Sequence, residues 1–150
     1  MSGMFIARIT PATVATVARE LIQLQCNASA VMIIHEAQIS GLSTASQAFN
    51  AALAFAATTN GPGTTFAPQN ISQAGATAAS TAYGIASSNA TGLIYLDSQA
   101  VNVLSGYHFL PTPELRPVVK PGGRIVLRVD STHTDDFVAD AWIKFEEKGN

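Results

Sequence analysis

Hydrophobic and polar residues alternate with a period of two along much of this chain, the pattern of strands with one face buried and one face wet. In Ile22-Gln-Leu-Gln-Cys26 the apolar side chains stand two apart with Gln between them, which predicts a half-buried strand. Ala30-Val-Met-Ile-Ile-His-Glu-Ala-Gln-Ile39 is apolar and rich in β-branched residues, and predicts a central strand covered on both faces. Phe49-Asn-Ala-Ala-Leu-Ala-Phe55 groups Phe49, Ala51, Leu53 and Phe55 on one side, with small uncharged residues on the other. Its alanines alone would permit a helix; the aromatic alternation favours a strand.

The C-terminal third is patterned most strongly. Gly92–Leu96 and Val101–Leu104 read as strands, and Gly106–Leu110 runs into Pro111-Thr-Pro113, where two prolines confine the segment to an edge or corner. Val118-Val119 is a short strand, followed by a turn at Lys120-Pro-Gly-Gly123. Arg124–Val129 places Ile125, Leu127 and Val129 on one face, with Arg124 and Arg128 on the other. Asp130 to Asp136 is a polar connection. The last strand, Phe137–Phe145, turns Phe137, Ala139, Ala141, Ile143 and Phe145 inward and Val138, Asp140, Trp142 and Lys144 outward. Glu146 to Asn150 reads as a solvated tail.

Between these blocks, Asn60-Gly-Pro-Gly63 carries the clearest turn chemistry. From Ile71 to Gly92, seventeen of twenty-two residues are Ala, Ser, Thr or Gly, too little bulk for a core. That stretch predicts a long loop draped over the domain or over a neighbouring subunit, with a short Ala-rich helix as the alternative. The whole is an all-β antiparallel sandwich of about eight strands, jelly-roll-like, in one domain spanning 1–150.

Charge changes the picture. From Ala37 through Leu96, sixty residues contain no Asp, Glu, Lys, Arg or His, and charged residues are 12% of the chain against roughly 25% in an average soluble domain. A neutral surface of this extent points to coverage by other protein and predicts a homo-oligomer. It also leaves the middle of the chain without the acids, bases and cations that catalysis requires, so no enzyme is expected. Net charge is −2, with no basic footprint for nucleic acid. Cys26 is alone and reads as a small buried hydrophobe in a protein that folds in a reducing cytoplasm. No run reaches the ~18–20 apolar residues that span a bilayer, and Met1 to Arg8 lacks the pattern of a secretory signal. Asn27-Ala-Ser, Asn70-Ile-Ser and Asn89-Ala-Thr match the glycosylation pattern, as chance allows in a chain this rich in Ser and Thr.

Candidate chemistry is sparse. His35, His108 and His133 are far apart in sequence, and the His-x-His pair of a metal-binding cupin is missing. His35 and Glu36 are neighbours on a strand and are expected on opposite faces, unable to share a metal. Asp130, Ser131, His133, Asp135 and Asp136 invite comparison with a calcium loop or a Ser-His-Asp arrangement, but the run lacks the turn Gly and closing acid of the first and any oxyanion site for the second. A hydrophilic hairpin accounts for it. Gly122-Gly123 lacks the spacing of a phosphate loop and reads as a turn. Trp142, outward on the last strand, marks either a contact surface or a ring capped by its neighbours. No catalytic, metal or cofactor residue is expected.

The stretch Gly106-Tyr-His-Phe-Leu-Pro-Thr-Pro-Glu-Leu-Arg-Pro-Val-Val-Lys-Pro-Gly-Gly-Arg-Ile-Val-Leu-Arg-Val129, with a final strand ending Trp142-Ile-Lys-Phe-Glu-Glu147, resembles the head decoration or cement proteins of tailed bacteriophages. The resemblance covers about residues 92–147 and has no counterpart for the loop at 71–92. It implies a jelly-roll-like subunit, commonly trimeric, bound to the major capsid protein on the outer surface of a virion assembled in the bacterial cytoplasm. Tyr107, Phe109 and Trp142 are the residues then expected at an interface, with no cofactor, nucleic acid or membrane involved. A carbohydrate- or receptor-binding sandwich of a phage fibre is the alternative; Tyr107, Asp140 and Trp142 are its candidate residues.

Overall fold

The structure, a computed structural model, describes residues 2–57, 63–72, 75–86, 88–130 and 133–149. It is a sandwich of two antiparallel sheets with no α-helix among these residues. One sheet, the front, contains β1 (Ser2–Arg8), β2 (Ala12–Val14), β4 (Ala30–Leu42), β7 (Gln69–Asn70), β10 (Tyr107–Phe109), β11 (Val118–Val119) and β13 (Phe137–Gly149). Its main order is β10-β4-β13-β1-β7; β11 also pairs with β4, and β2 with β13. The other, the back, has the order β6-β8-β3-β12-β5-β9. Its members are β3 (Arg19–Gln25), β5 (Ala48–Ala56), β6 (Thr65–Phe66), β8 (Thr81–Tyr83), β9 (Ile94–Asn102) and β12 (Arg124–Val129). Every pairing is antiparallel, and the long strands mostly alternate between sheets along the chain.

The core lies where the alternation places it. Phe137, Ala139, Ala141, Ile143 and Phe145 of β13 all face inward and are buried, as are Ile125, Leu127 and Val129 of β12. Phe5 packs on Phe145 with ring centroids 5.6 Å apart, and Phe49 meets Phe137 at 5.1 Å, joining back to front. The turn before β12 has Gly122 at φ +70°, a conformation an L side chain rarely adopts. Gly106 enters β10 at φ +71°, and a Cβ there would stand 2.6 Å from the Ile39 carbonyl oxygen. Cys26 is buried, its Sγ 3.2 Å from the Ala30 carbonyl oxygen, and burial raises the thiol's pKa.

Several local expectations are corrected. Strand β3 is buried on both faces, because a bulge opposite Leu127/Arg128 sends both Leu21 and Ile22 into the core and leaves Glu20 and Gln23 on the far side, also covered. Strand β4 is central but buried on one face only; the other carries Val31, Ile33, His35, Glu36, Gln38 and Ser40 half-exposed. A bulge between Lys144 and Phe145 pairs them with Glu36 and Ile34, skipping His35, so His35 and Glu36 share the outer face instead of opposing one another. The two strands expected at 92–96 and 101–104 are one, β9, with a turn after Asn102. Strand β13 runs on to Gly149, so Glu146 to Gly149 are ladder residues and not a tail. The turn expected at Asn60-Gly-Pro-Gly63 lies outside the described residues except for Gly63.

The segment at 71–92 contains β8 and is tied to this chain. Glu147 shares the inward parity of Phe145, is 5% exposed, and accepts the Ala79 and Ser80 N–H groups at 2.9 and 2.8 Å. Since β8 flanks β3 and β9 flanks β5, the connection between them must pass β3, β12 and β5. It does so on the face away from the core. There the fully buried Glu20 carboxylate accepts the Ala90 N–H at 2.7 Å, Asn89 bonds the Ala18 carbonyl at 2.9 Å, and Ala57 donates to Thr91.

Candidate functional site

The sandwich presents three unlike surfaces. The front face collects charge from both ends of the sequence, because β1, β4 and β13 lie side by side. Arg8 of β1 forms a two-pronged ion pair with Asp140 of β13. Glu36 of β4 lies between Lys144 Nζ at 2.8 Å and His108 Nε2 at 2.6 Å. Its burial pushes the carboxyl pKa up, but hydrogen bonds from Lys144 and His108 outweigh this and hold it below the ordinary value. Lys144 Nζ stands 4.4 Å over the Trp142 ring, and His108 meets that ring edge-on at 6.4 Å. Glu146 is 3.4 Å from Lys148 Nζ and 3.5 Å from His35 Nε2.

The back face is strapped by the 71–92 segment, and its charges at Glu20 and Arg128 are covered. Arg128, outward on β12 as its parity predicts, is nevertheless 6% exposed; its Nε is 2.8 Å from Asp130 and its Nη1 3.8 Å from Glu20. Alanines at 52 and 54 leave room for the crossing chain and are fully buried. Glu20 and Glu147, the two buried carboxylates, each accept backbone N–H groups of the 71–92 segment, a pinning role.

The third surface is one open edge of the sandwich, where β9 ends the back sheet and β10 and β11 flank the front. Two apolar grooves of about 460 and 670 Å³ run there, sharing Phe55 and Val118 as walls. Ile94 borders one; Phe109, Leu110 and Leu115 border the other. Ile94, Leu110, Leu115 and Val118 are each more than half exposed, at 66, 67, 73 and 56%. Beside them the nine-residue β9 pairs only with β5, so its outer edge has no ladder partner among the described residues.

The residues expected at an interface separate. Phe109 lines the larger groove. Trp142 sits half-buried at the centre of the front face, capped by Lys144 and His108. Tyr107 is inside, 1% exposed: its ring packs in the core while its hydroxyl donates to Asp97 at 2.7 Å, and burial followed by that bond drives its pKa up. Thus the fibre-type trio of Tyr107, Asp140 and Trp142 shares no surface, whereas Asp140 and Trp142 do.

The Asp130–Asp136 cluster does not assemble. Asp130 turns to Arg128 and Tyr95, His133 is buried edge-on against Phe137 at 4.9 Å, Asp135 and Asp136 face solvent, and Ser131 lies outside the described residues. Among the described residues no three His, Cys, Asp or Glu side chains are grouped to hold a metal, and no helix is long and apolar enough to cross a membrane. Sequence reasoning missed Glu36 as the hub of the front face, and Glu20 and Glu147 as pins. Only Glu147 carried a signal, its parity with Phe145. No known protein family, curated protein or solved structure matches this chain.

Proposed function

We propose that this chain is a structural virion protein of a tailed bacteriophage, a homotrimer that binds the major capsid protein on the outer surface of the assembled shell and stabilises it. The observation that carries the reading is the apolar edge, the larger groove walled by Phe109, Leu110 and Leu115 beside a nine-residue strand whose outer side has no partner among the described residues. A strand edge offers main-chain donors and acceptors, and apolar pockets beside it take side chains, so the combination suits an extended segment of another protein. The resemblance of residues 92–147 to head decoration proteins supports the same role.

Such a protein stabilises by linkage. Binding that favours the assembled shell over separated subunits contributes ~2.7 kcal/mol per site at a hundredfold excess over the dissociation constant. Because the groove walls are largely apolar, capsid affinity should change little with salt. The experiment is to heat undecorated capsids with and without the purified protein at low and high ionic strength. A higher rupture temperature supports the reading; failure to bind, or equal rupture temperatures, defeats it.

A second reading, carbohydrate or receptor binding at a phage fibre, is favoured by one specific observation. Trp142 lies on an open sheet face among Glu36, His108 and Asp140, polar groups of the kind that hold sugar hydroxyls. A glycan array read with the native protein and Trp142→Ala separates the two: a signal lost in the variant, with no effect on capsids, selects the fibre role.

A further inference from the structure

Among the described residues, apart from Glu114 and Arg116 on the connection between β10 and β11, two groups of charges without an ion pair lie at opposite ends of the sandwich and have opposite sign. Most others are paired: Arg8 with Asp140, Glu36 with Lys144 and His108, Glu146 with Lys148, Arg128 with Asp130. At the end where β12 and β9 begin, Lys120 and Arg124 line the smaller groove, and neither is in an ion pair among the described residues. The Arg124 Nε is buried with no hydrogen-bond partner, and its Nη1 reaches only the Ala57 carbonyl at 3.5 Å. Ile94 and Val118 are exposed beside them.

At the end where β12 finishes and β13 begins, Asp135 and Asp136 are exposed, and neither carboxylate is ion-paired among the described residues. Gln47 ties Asp135 to the turn after β9: its side chain bonds the Asp135 backbone, and its carbonyl accepts the Val103 N–H. The adjacent Leu104 is 59% exposed, and Leu42, at the end of β4, is 60% exposed. Strand β12 alone separates the two ends by about 20 Å, so they cannot meet within one molecule.

We propose that copies of this chain bind head to tail, the acidic end at Asp135 and Asp136 of one sandwich seated on the groove rimmed by Lys120 and Arg124 of the next. Charge complementarity selects a second copy as the occupant, since the chain itself carries both halves of the contact, each backed by exposed aliphatic side chains. Joining unlike ends leaves one of each kind free, so the contact repeats, closing into a ring where the rotation between neighbours brings the last copy back to the first and continuing as a filament where it does not. This supplies the trimer with its interface and rests on the proposed function only for the number of subunits.

The test is sedimentation velocity at micromolar concentration, at roughly 0.05 and 0.5 M salt, on four samples. These are the native chain, Lys120→Glu/Arg124→Glu, Asp135→Lys/Asp136→Lys, and an equimolar mixture of the two variants. Lys120→Glu alone, at an exposed turn position, serves if the Arg124 change impairs folding as judged by circular dichroism.

The native chain should associate, more weakly at high salt. Each variant alone should associate at least about tenfold more weakly, and the mixture, which restores unlike ends, should recover the complex. A native trimer untouched by either reversal would overturn the head-to-tail contact and leave the trimer standing. A monomeric native chain would overturn both. A monomer that binds capsids through Lys120 and Arg124 would give the groove to an acidic capsid segment and overturn the proposal as well.

Discussion

Replacing Glu147 with Ala tests whether the 71–92 segment belongs to this domain's own fold. The carboxylate is 5% exposed and accepts two N–H groups, from Ala79 at 2.9 Å and Ser80 at 2.8 Å. A hydrogen bond to a charged group contributes about 1.5–3 kcal/mol, and a buried donor left unmade costs about 1–3 kcal/mol. Ala79 is exposed, so water can replace its partner; Ser80 is 4% exposed and has no such recourse. One full loss and one partial loss give about 2–4 kcal/mol. For a domain of this size each kcal/mol lowers the melting temperature by about 2–4 °C, which puts Glu147→Ala roughly 5–15 °C below the native chain. The control is the adjacent Glu146→Ala. Glu146 is on the open front face, where surface ion pairs contribute about 0–1 kcal/mol. Calorimetry measures the melting temperatures, and hydrogen exchange reads the Ala79 and Ser80 amides, which should lose protection in Glu147→Ala alone. Two variants that melt within a degree of each other, or Ala79 and Ser80 amides that stay protected, would refute the pinning argument.

Phe145→Ala removes a fully buried ring packed on Phe5 and should cost ~3–5 kcal/mol, giving a poorly soluble protein; an unchanged denaturation midpoint would mean that the ring is not in the core. Tyr107→Phe keeps the ring and loses the bond to Asp97, so a loss of about 0.5–1.5 kcal/mol is expected in urea titration, small because Asp97 is partly solvated. Glu36 has a lowered folded-state pKa, so its contribution is fully present above the ordinary carboxylate range and disappears as pH falls through the lowered value. Melting curves of the native chain and Glu36→Gln should therefore differ at neutral pH and converge in acid; a constant gap would exclude that linkage.

The neutral run from Ala37 to Leu96 has a physical explanation in the fold. Its strands β5 and β8 line the back sheet, alanines at 52 and 54 lie under a crossing segment, and Ala86 and Ala90 are themselves buried in that crossing. Much of the neutral surface is thus covered by the chain's own backbone, a place where charge would go unsolvated. The run's last residues begin β9, which with β10 and β11 forms the exposed apolar edge, and there the question of partners concentrates.

Period-two alternation determined the strands β5, β12 and β13, their inward faces and the two-layer class, because a buried face imposes a pattern on each strand separately. The Pro-Gly-Gly turn was equally legible, since only backbone chemistry within four residues is involved. Bulges were not: Leu21 and Ile22 point the same way, and so do His35 and Glu36, because each bulge answers a register set by a strand distant in sequence. Nor could local pattern show that Arg128 is buried, that Tyr107 is inside while Trp142 is out, or that Glu147 pins a loop some 67 residues away. Those outcomes depend on which strands become neighbours and which faces are then covered. The charges grouped at the two ends of the sequence became one ion-paired face for the same reason: antiparallel pairing set β1 and β4 on either side of β13, and only that pairing brought Arg8 to Asp140 and Glu36 to Lys144.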